Sequence, residues 1–312
     1  MDLSIVIVSW NTRELLRDCL ASLPAATAEL ATEIVVVDNA SADGSADMVV
    51  SEFPAVRLME SGGNLGFARA NNLALPHTTG HAVLLLNPDT ICPPGSLARL
   101  FRFAVGRPGV GAAAPRLVDE DGHPTLSWGF FPRARDHWLG FLDPRRIWLR
   151  GALSQRISTI PRRSDPSCRV DYVTGACFMI PRTSLEQVGN LDERFFMYFE
   201  ETDWCWRSRD AGLDVWYCAE TEVTHLEGRA AGQVGDFSLR QFQASYRLFL
   251  EKHQGKRAVL RFRLAQFAEY GWKSLLRRLA PGEADGNRAL ARVYADRARL
   301  QLRGSIEVAP PS

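Results

Sequence analysis

Three short runs of nearly unbroken aliphatic character, Leu3 to Val8, Glu33 to Val37 and Ala82 to Leu86, constrain this chain more than any other feature. A strand with one wet face alternates apolar and polar residues, whereas a run that is apolar throughout belongs to a strand covered on both faces. Between the first two runs lie Leu15, Leu16, Cys19, Leu20 and Leu23 at helical spacing. Asn11 and Glu14 ahead of them read as an N-cap and its capping box. The alternation continues through a helix after Ser45, a short strand near Val56 to Met59, and a helix from Phe67 to Leu75. This predicts an α/β fold: a doubly wound, mostly parallel sheet flanked by helices, with right-handed crossovers. Ligands on such sheets sit beyond the carboxyl ends of the strands. Ser9-Trp10-Asn11, Asp38-Asn39 and Asn87-Pro88-Asp89 therefore fall along one edge.

The alternation stops at about residue 119, where the sequence becomes rich in Pro, Gly, Trp and Arg as far as residue 169. Val170 to Ile180 then reads as a strand, and Thr202 to Ala211 as a helix stopped by Gly212. The expected plan is an α/β domain over 1–236, made of a first half (1–118), an elaborated loop or helical insertion (119–169) and a second half (170–236). A basic helical extension occupies 237–312.

Whole-chain charge excludes one class of partner. With 37 basic and 36 acidic residues the formal charge is +1, so electrostatics give no case for nucleic acid. The six cysteines are scattered, without a CxxC pair, and read as buried reduced thiols of a cytoplasmic protein. No apolar stretch approaches the ~18 residues needed to cross a bilayer, and the first residues lack a basic leader region.

Five places carry residue types suited to chemistry. Asp38 follows a buried strand where a short carboxylate can accept hydrogen bonds from a base or ribose, while Asp43, ahead of Gly-Ser, reads better as a helix cap. Ser61 to Asn72 is a glycine-rich turn leading into a helix, which favours a phosphate, and Arg69 stands one turn in. Asp89 supplies a single carboxylate of the kind a diphosphate-bound divalent ion needs, although Asn-Pro-Asp is equally a turn sequence. Glu200, Glu201 and Asp203 open a helix directly after an aromatic run. That placement suits the helix dipole, and low polarity there would also raise a carboxyl toward the range of a general base. His225 completes the set as an imidazole compatible with manganese-type coordination.

Taken together these motifs resemble family 2 glycosyltransferases, inverting enzymes of the GT-A fold, and among them the rhamnosyltransferase-like branch that builds bacterial surface polysaccharides. The matching text runs in order: Ser4 to Asn11, Val37 to Ser45, Gly63 to Phe67 with Asn71, and Leu86 to Asp89. It continues with Thr174-Gly175-Ala176, Leu191 to Phe196 with Asp203, and Val223-Thr224-His225. The resemblance implies that Asp38 and Asn64 hold the nucleotide, with Ser9, Asn11 and Arg69 beside them. It implies that Asp89 and His225 ligate Mg2+ or Mn2+, and that the catalytic base stands at the second acid of a Glu-Asp pair. Here the pair reads Glu200-Glu201, one methylene longer at the second position, and which of the two reaches the acceptor stays open. The donor implied first is dTDP-rhamnose, the acceptor a saccharide or lipid-linked saccharide.

Pro132 to Pro166 holds eight arginines against three acids, and the tail around Lys252 to Phe267 mixes bases with Leu and Phe. Such helices either lie on an anionic membrane surface, here the inner face of the plasma membrane, or form a solvated face. Two rival functions are weighed. A sugar-phosphate nucleotidyltransferase would want a glycine-rich, basic loop directly after the first strand, and Ser9-Trp10-Asn11 supplies none. An inactive nucleotide-sugar-binding module would have no need of acids at 89, 200, 201 and 203.

Overall fold

The computed structural model describes residues 1–134, 160–226, 235–279 and 284–302. They form two compact units. The first comprises 1–131, 160–226 and 235–239, and the second comprises 132–134, 240–279 and 284–302. Much of the arginine-rich insertion, including Arg135, Arg145, Arg146, Arg150 and Arg156, lies outside the described residues.

The first unit is built on a mixed sheet. Strands β1 (Leu3–Ser9), β2 (Thr32–Asp38), β3 (Arg57–Glu60) and β4 (Ala82–Leu86) pair in parallel in the order β3-β2-β1-β4. Helices α1 (Arg13–Ala26) and α2 (Ser45–Glu52) supply Leu16, Leu20, Leu23, Met48 and Val49 to one face, against Leu3, Ile5, Ile7, Val36 and Leu84. Helix α3 (Gly66–Ala74) packs against β1 and β2 on the other face, where small Ala68, Ala70 and Ala74 let it approach closely. Both faces being covered, every residue of β4 and all of β1 but Val8 are buried, which is why those runs carry no polar alternation.

Beyond β4 the parallel order gives way. Short β5 (Thr90–Ile91) precedes helix α4 (Ser96–Val105), β6 (Val110–Val118) and the two-residue β7 (Trp128–Gly129). The stretch expected as one strand over 170–180 is three: β8 (Cys168–Val170), β9 (Tyr172–Val173) and β10 (Cys177–Pro181). Thr174-Gly175-Ala176 interrupts it, and β10 then runs antiparallel between β4 and β6. Helix α5 (Arg182–Val188) and helix α6 (Glu200–Asp210) lead to the long β11 (Asp214–His225), parallel to β6 and antiparallel to β5 at its far end. All six cysteines are free, and five are buried.

The capping box at Asn11 is not formed. Thr12 is the cap residue of α1 and makes no side-chain cap, because Asn11 is in the left-handed region at φ 54° and turns its amide toward the 41–43 loop. Asp43 does the capping instead, accepting from Arg13 N–H at 2.8 Å and from Ser45 N–H at 3.0 Å, so that one carboxylate serves two helix starts. Burial opposes its charge, but these hydrogen bonds and that of the Ser45 hydroxyl hold it below the usual carboxylate range.

In the second unit, the part of helix α7 (Gly235–Gln254) from residue 240 packs with α8 (Lys256–Leu279) and α9 (Ala284–Leu302). Tyr246 stacks on Phe262 with ring centroids 4.6 Å apart, and Ser274 donates to the Ala291 carbonyl at 2.8 Å.

The second half of the first unit is tied by one arginine. Arg207 donates to Asp203, which is fully buried, at 2.9 Å, and to the Val188 and Asn190 carbonyls at 2.8 Å each. Removing it strands a buried charge and two carbonyls. Arg207→Ala is expected to lower unfolding free energy by about 3 kcal/mol, read as a reduced urea midpoint with an unchanged denaturant slope.

Candidate active site

The carboxyl ends of β1 and β2 lie side by side, with Ser9 opposite Asp38 in register. Ser9 is fully buried, and its hydroxyl pairs with that of Thr12 at 2.9 Å. Asn11 accepts the Ala42 N–H at 2.7 Å and gives its own N–H to the Ser41 hydroxyl at 3.0 Å. Both residues thus brace the loop that follows β2. Asp38 is 4% exposed. One of its oxygens accepts the Ser41 N–H at 3.0 Å, while Oδ1 is buried with no hydrogen-bond partner. A carboxylate oxygen desolvated and unsatisfied in this way is costly unless a ligand completes it.

The glycine-rich turn is fastened to the same loop by Asn39, a residue the sequence reading passed over. Its N–H donates to the Ser9 carbonyl at 2.8 Å, its Oδ1 accepts the Leu65 N–H at 2.9 Å, and its Nδ2 donates to Asn64 Oδ1 at 3.0 Å. Asn64 Oδ1 also accepts the Gly66 N–H at 3.1 Å, so that oxygen shapes the turn. Gly66 sits at φ +76°, and a Cβ there would lie 2.3 Å from the Phe196 carbonyl oxygen, which itself accepts the Phe67 N–H at 2.7 Å. Only glycine fits. Arg69 is largely exposed and stands 4.0 Å from Glu193, at the rim of this region.

Asp89 and His225 are brought together from positions far apart in sequence. The end of β11 pairs with β5, His225 opposite Thr90, and the Leu226 N–H donates to the Asp89 carbonyl at 2.9 Å. His225 Nε2 lies 3.3 Å from Asp89 Oδ1, without the alignment of a hydrogen bond. Both side chains are largely buried, at 14% and 5% exposure. A buried oxygen and an imidazole nitrogen held edge to edge suit a shared cation, and this donor set of one carboxylate and one imidazole fits a manganese- or magnesium-class ion. A separate trio, Asp119, Asp121 and His123, gathers at a more exposed turn, where Asp119 Oδ1 accepts the backbone N–H groups of 121 and 123. Turn geometry accounts for it.

The third element is the start of α6. Tyr198 and Phe199 take consecutive left-handed conformations, φ 69° and 71°. Such backbone costs roughly 1–3 kcal/mol per residue and persists where the surroundings impose it. The turn delivers Glu200 and Glu201 into apolar ground. Glu200 is 5% exposed and its Oε2 has no hydrogen-bond partner. Burial, reinforced by the neighbouring Glu201, pushes its carboxyl well above the ordinary range. Burial likewise raises Glu201 to about 7, against hydrogen bonds from local N–H groups and the Thr202 hydroxyl that favour its charged form. Glu201 packs on the interruption in the 168–181 stretch: a Cβ placed at Gly175 would touch its Cβ, Cγ and Cδ at 3.6–3.8 Å. Ala176, next in line, accepts the Asn87 N–H at 2.9 Å. The segment 174–176 therefore bridges the Asp89 turn to the acid pair. Asp203, by contrast, is engaged with Arg207 and turned into the core.

The structure thus gathers Asp38 with the Asn39–Asn64 turn, Asp89 with His225, and Glu201 with Gly175. Ser9 and Asn11 act through the backbone they hold, and Arg69 stays peripheral. Two contributors had no clear signal in sequence. Asn39 looked like the neighbour of an aspartate, and nothing in Tyr198-Phe199 announces positive φ, since neither is a glycine or asparagine.

Comparison with known proteins identifies the family and the fold. The sequence profile described as Glycosyl transferase family 2 matches residues 4–189. The chain is 33% identical over 280 aligned residues to the N-acetylglucosaminyl-diphospho-decaprenol L-rhamnosyltransferase of Mycobacterium tuberculosis, covering 84% of this chain and 89% of that protein. It is 26% identical over 254 residues to a low-salt glycan biosynthesis hexosyltransferase of Haloferax volcanii, covering 80% and 73%. Among solved structures, a mannosyltransferase of Pyrobaculum calidifontis in complex with GDP-Man and Mn2+ superposes with a TM-score of 0.56 at 16% identity, over 96% of this chain and 84% of that one. That likeness places the fold with the GT-A enzymes expected from the motifs. With the profile spanning more than half of its length and a relative above 30% identity along most of it, the chain belongs to glycosyl transferase family 2 and is a glycosyltransferase.

Proposed function

We propose that this glycosyltransferase inverts the anomeric centre as it moves rhamnose from dTDP-rhamnose to a lipid-linked saccharide, in cell-surface glycan synthesis at the cytoplasmic face of a membrane. The observation that carries the mechanism is the acid pair at the strained start of α6, Glu200 buried and Glu201 half-buried, with Glu201 raised to about 7 beside Gly175. The donor and acceptor classes follow the mycobacterial relative, which is named for rhamnosyl transfer to a diphospho-decaprenol-linked sugar.

In this reading Glu201 is the general base. The acceptor oxygen attacks the anomeric carbon from the face opposite the diphosphate, the bond from that carbon to the diphosphate oxygen breaks, and the acceptor proton passes to Glu201. A carboxyl near neutrality is well matched to that transfer, being ionised enough to accept and basic enough to pull. Burial and the neighbouring Glu201 favour the protonated form of Glu200, which keeps the pair from carrying two adjacent charges. Asp38, through its unsatisfied Oδ1, accepts from the nucleoside, and the turn around Asn64, whose Leu65, Gly66 and Phe67 N–H groups are already engaged, leads to Arg69 at the rim as the group for the diphosphate. Asp89 and His225 would hold Mn2+ or Mg2+, which when bound supplies positive charge to the departing diphosphate. The solved mannosyltransferase was captured with Mn2+.

Release of nucleoside diphosphate from a panel of nucleotide sugars, with and without manganese, tests the reading. dTDP-rhamnose should give the fastest release, and no release from any donor would leave a binding module. Asp89→Asn and His225→Ala are expected to raise the manganese needed for half-maximal rate at least roughly tenfold.

The acid pair makes two further outcomes specific. Because Glu201 must be ionised to accept a proton, the wild-type rate should rise with pH through about 7. Glu201→Gln should lower kcat by about 10²–10⁴-fold and flatten that limb. Stability should move the other way. The folded-state value lies above the ordinary 4.5, so the carboxyl's contribution is fully present below 4.5 and is lost as pH rises through 7. Glu201→Gln should therefore be more stable than wild type at pH 8 by ~1–3 kcal/mol, and no more stable at pH 4, as read by urea unfolding at the two pH values.

A further inference from the structure

Helix α8 of the second unit has one face packed and one bare. Ala258, Phe262, Ala265 and Gln266 are buried among the neighbouring helices. On the other side Leu260, Leu264, Phe267, Leu275 and Leu279 recur at spacings of four, three, eight and four, with Trp272 alongside. All six are exposed, from 40% at Phe267 to 72% at Leu279. These four spacings in succession keep the side chains on one stripe of a helix. An isolated exposed leucine needs no explanation, whereas a contiguous stripe along most of a 24-residue helix marks a binding surface.

Charge decides what covers it. Between Lys256 and Leu279 there are seven bases and one acid. The acid, Glu269, is paired with Lys273 at 2.6 Å. Lys256 and Arg257 at one end, and Arg278 at the other, are exposed beside the apolar stripe. A second copy of this chain would meet the face isologously, opposing bases to bases with no carboxylate to neutralise them. An anionic lipid surface satisfies both halves at once: the leucines and aromatics enter the acyl boundary while the long basic side chains reach the headgroups. No helix of the described residues is long and apolar enough to cross a membrane, so the contact is one of lying on the surface.

We propose that the exposed face of α8 is an amphipathic membrane-contact surface selective for anionic phospholipid. It rests on geometry apart from the catalytic reading, and its test contains no donor or acceptor. Purified full-length protein is sedimented with vesicles of phosphatidylcholine alone or mixed with phosphatidylglycerol. Binding is expected to the mixed vesicles at low salt, with an apparent affinity at least tenfold weaker for phosphatidylcholine alone and at about 0.5 M salt. Leu264→Glu with Phe267→Glu, and separately Lys256→Glu with Arg257→Glu, are each expected to weaken it at least tenfold, with helix content by circular dichroism unchanged. Nucleoside diphosphate release in solution should be unaltered in both variants, and loss of release in wild type would count against the catalytic reading alone. Absence of vesicle binding by wild type, equal binding to neutral vesicles, or undiminished binding by both variants would overturn the proposal. So would a vesicle-free dimer that Leu264→Glu with Phe267→Glu dissociates, since a second copy would then own the face.

Discussion

Strand β1 is hydrogen-bonded in parallel on both sides and covered by helices on both faces, and that enclosure governs where everything polar in the first unit goes. Within the sheet every backbone group has its partner and no side chain can be charged without heavy desolvation. Polarity returns where β1, β2 and β4 end, on the same edge, because parallel strands share a direction. Asp38, the 39–41 loop and the Asp89 turn emerge there together. The later part of the first unit reaches that edge by other routes: β10, antiparallel beside β4, and the long β11, whose last residue closes on β5 to set His225 against Asp89.

The carboxylates differ in how much the protein compensates them. Asp43 accepts several hydrogen bonds and is held in its charged form. Asp203 has a guanidinium at 2.9 Å. Asp38 and Asp89 each retain one buried oxygen without a hydrogen bond, the signature of a group completed by something bound. Glu200 and Glu201 lie at the far end of the scale, two adjacent acids with few donors in an apolar setting, and burial, reinforced at Glu200 by its charged neighbours, drives them toward neutrality. One kind of side chain thereby serves as cap and as tether, and in the proposed reading as ligand and proton acceptor, and the environment assigns the task.

The parallel half of the fold was legible because its strands are unbroken apolar runs, a pattern few other structures tolerate. The motifs around Asp38, Asp89, Glu201 and His225 were legible for a different reason: several weak signals occurred in a family's order. What could not be read was local. The capping at Asn11 failed because a left-handed backbone there turns the side chain away from the helix, and Asp43, thirty residues on, takes the role. The strand over 170–180 broke at Thr174-Gly175-Ala176 because that segment turns across the acid pair, a tertiary demand with no periodicity of its own. Asn39 and the Tyr198-Phe199 turn likewise depend on contacts between segments far apart in sequence.

The close approach of Gly66 to Phe196 has a consequence for how such an enzyme can diverge. The turn that leads to Arg69 and the loop that launches the acid pair touch backbone to backbone, with no side chain between them to absorb a shift. A shift of the turn is therefore felt at Phe196, four residues before Glu200. Residues coupled this directly do not contribute additively. A lineage that exchanges one nucleotide sugar for another must carry both segments along as a single inherited module.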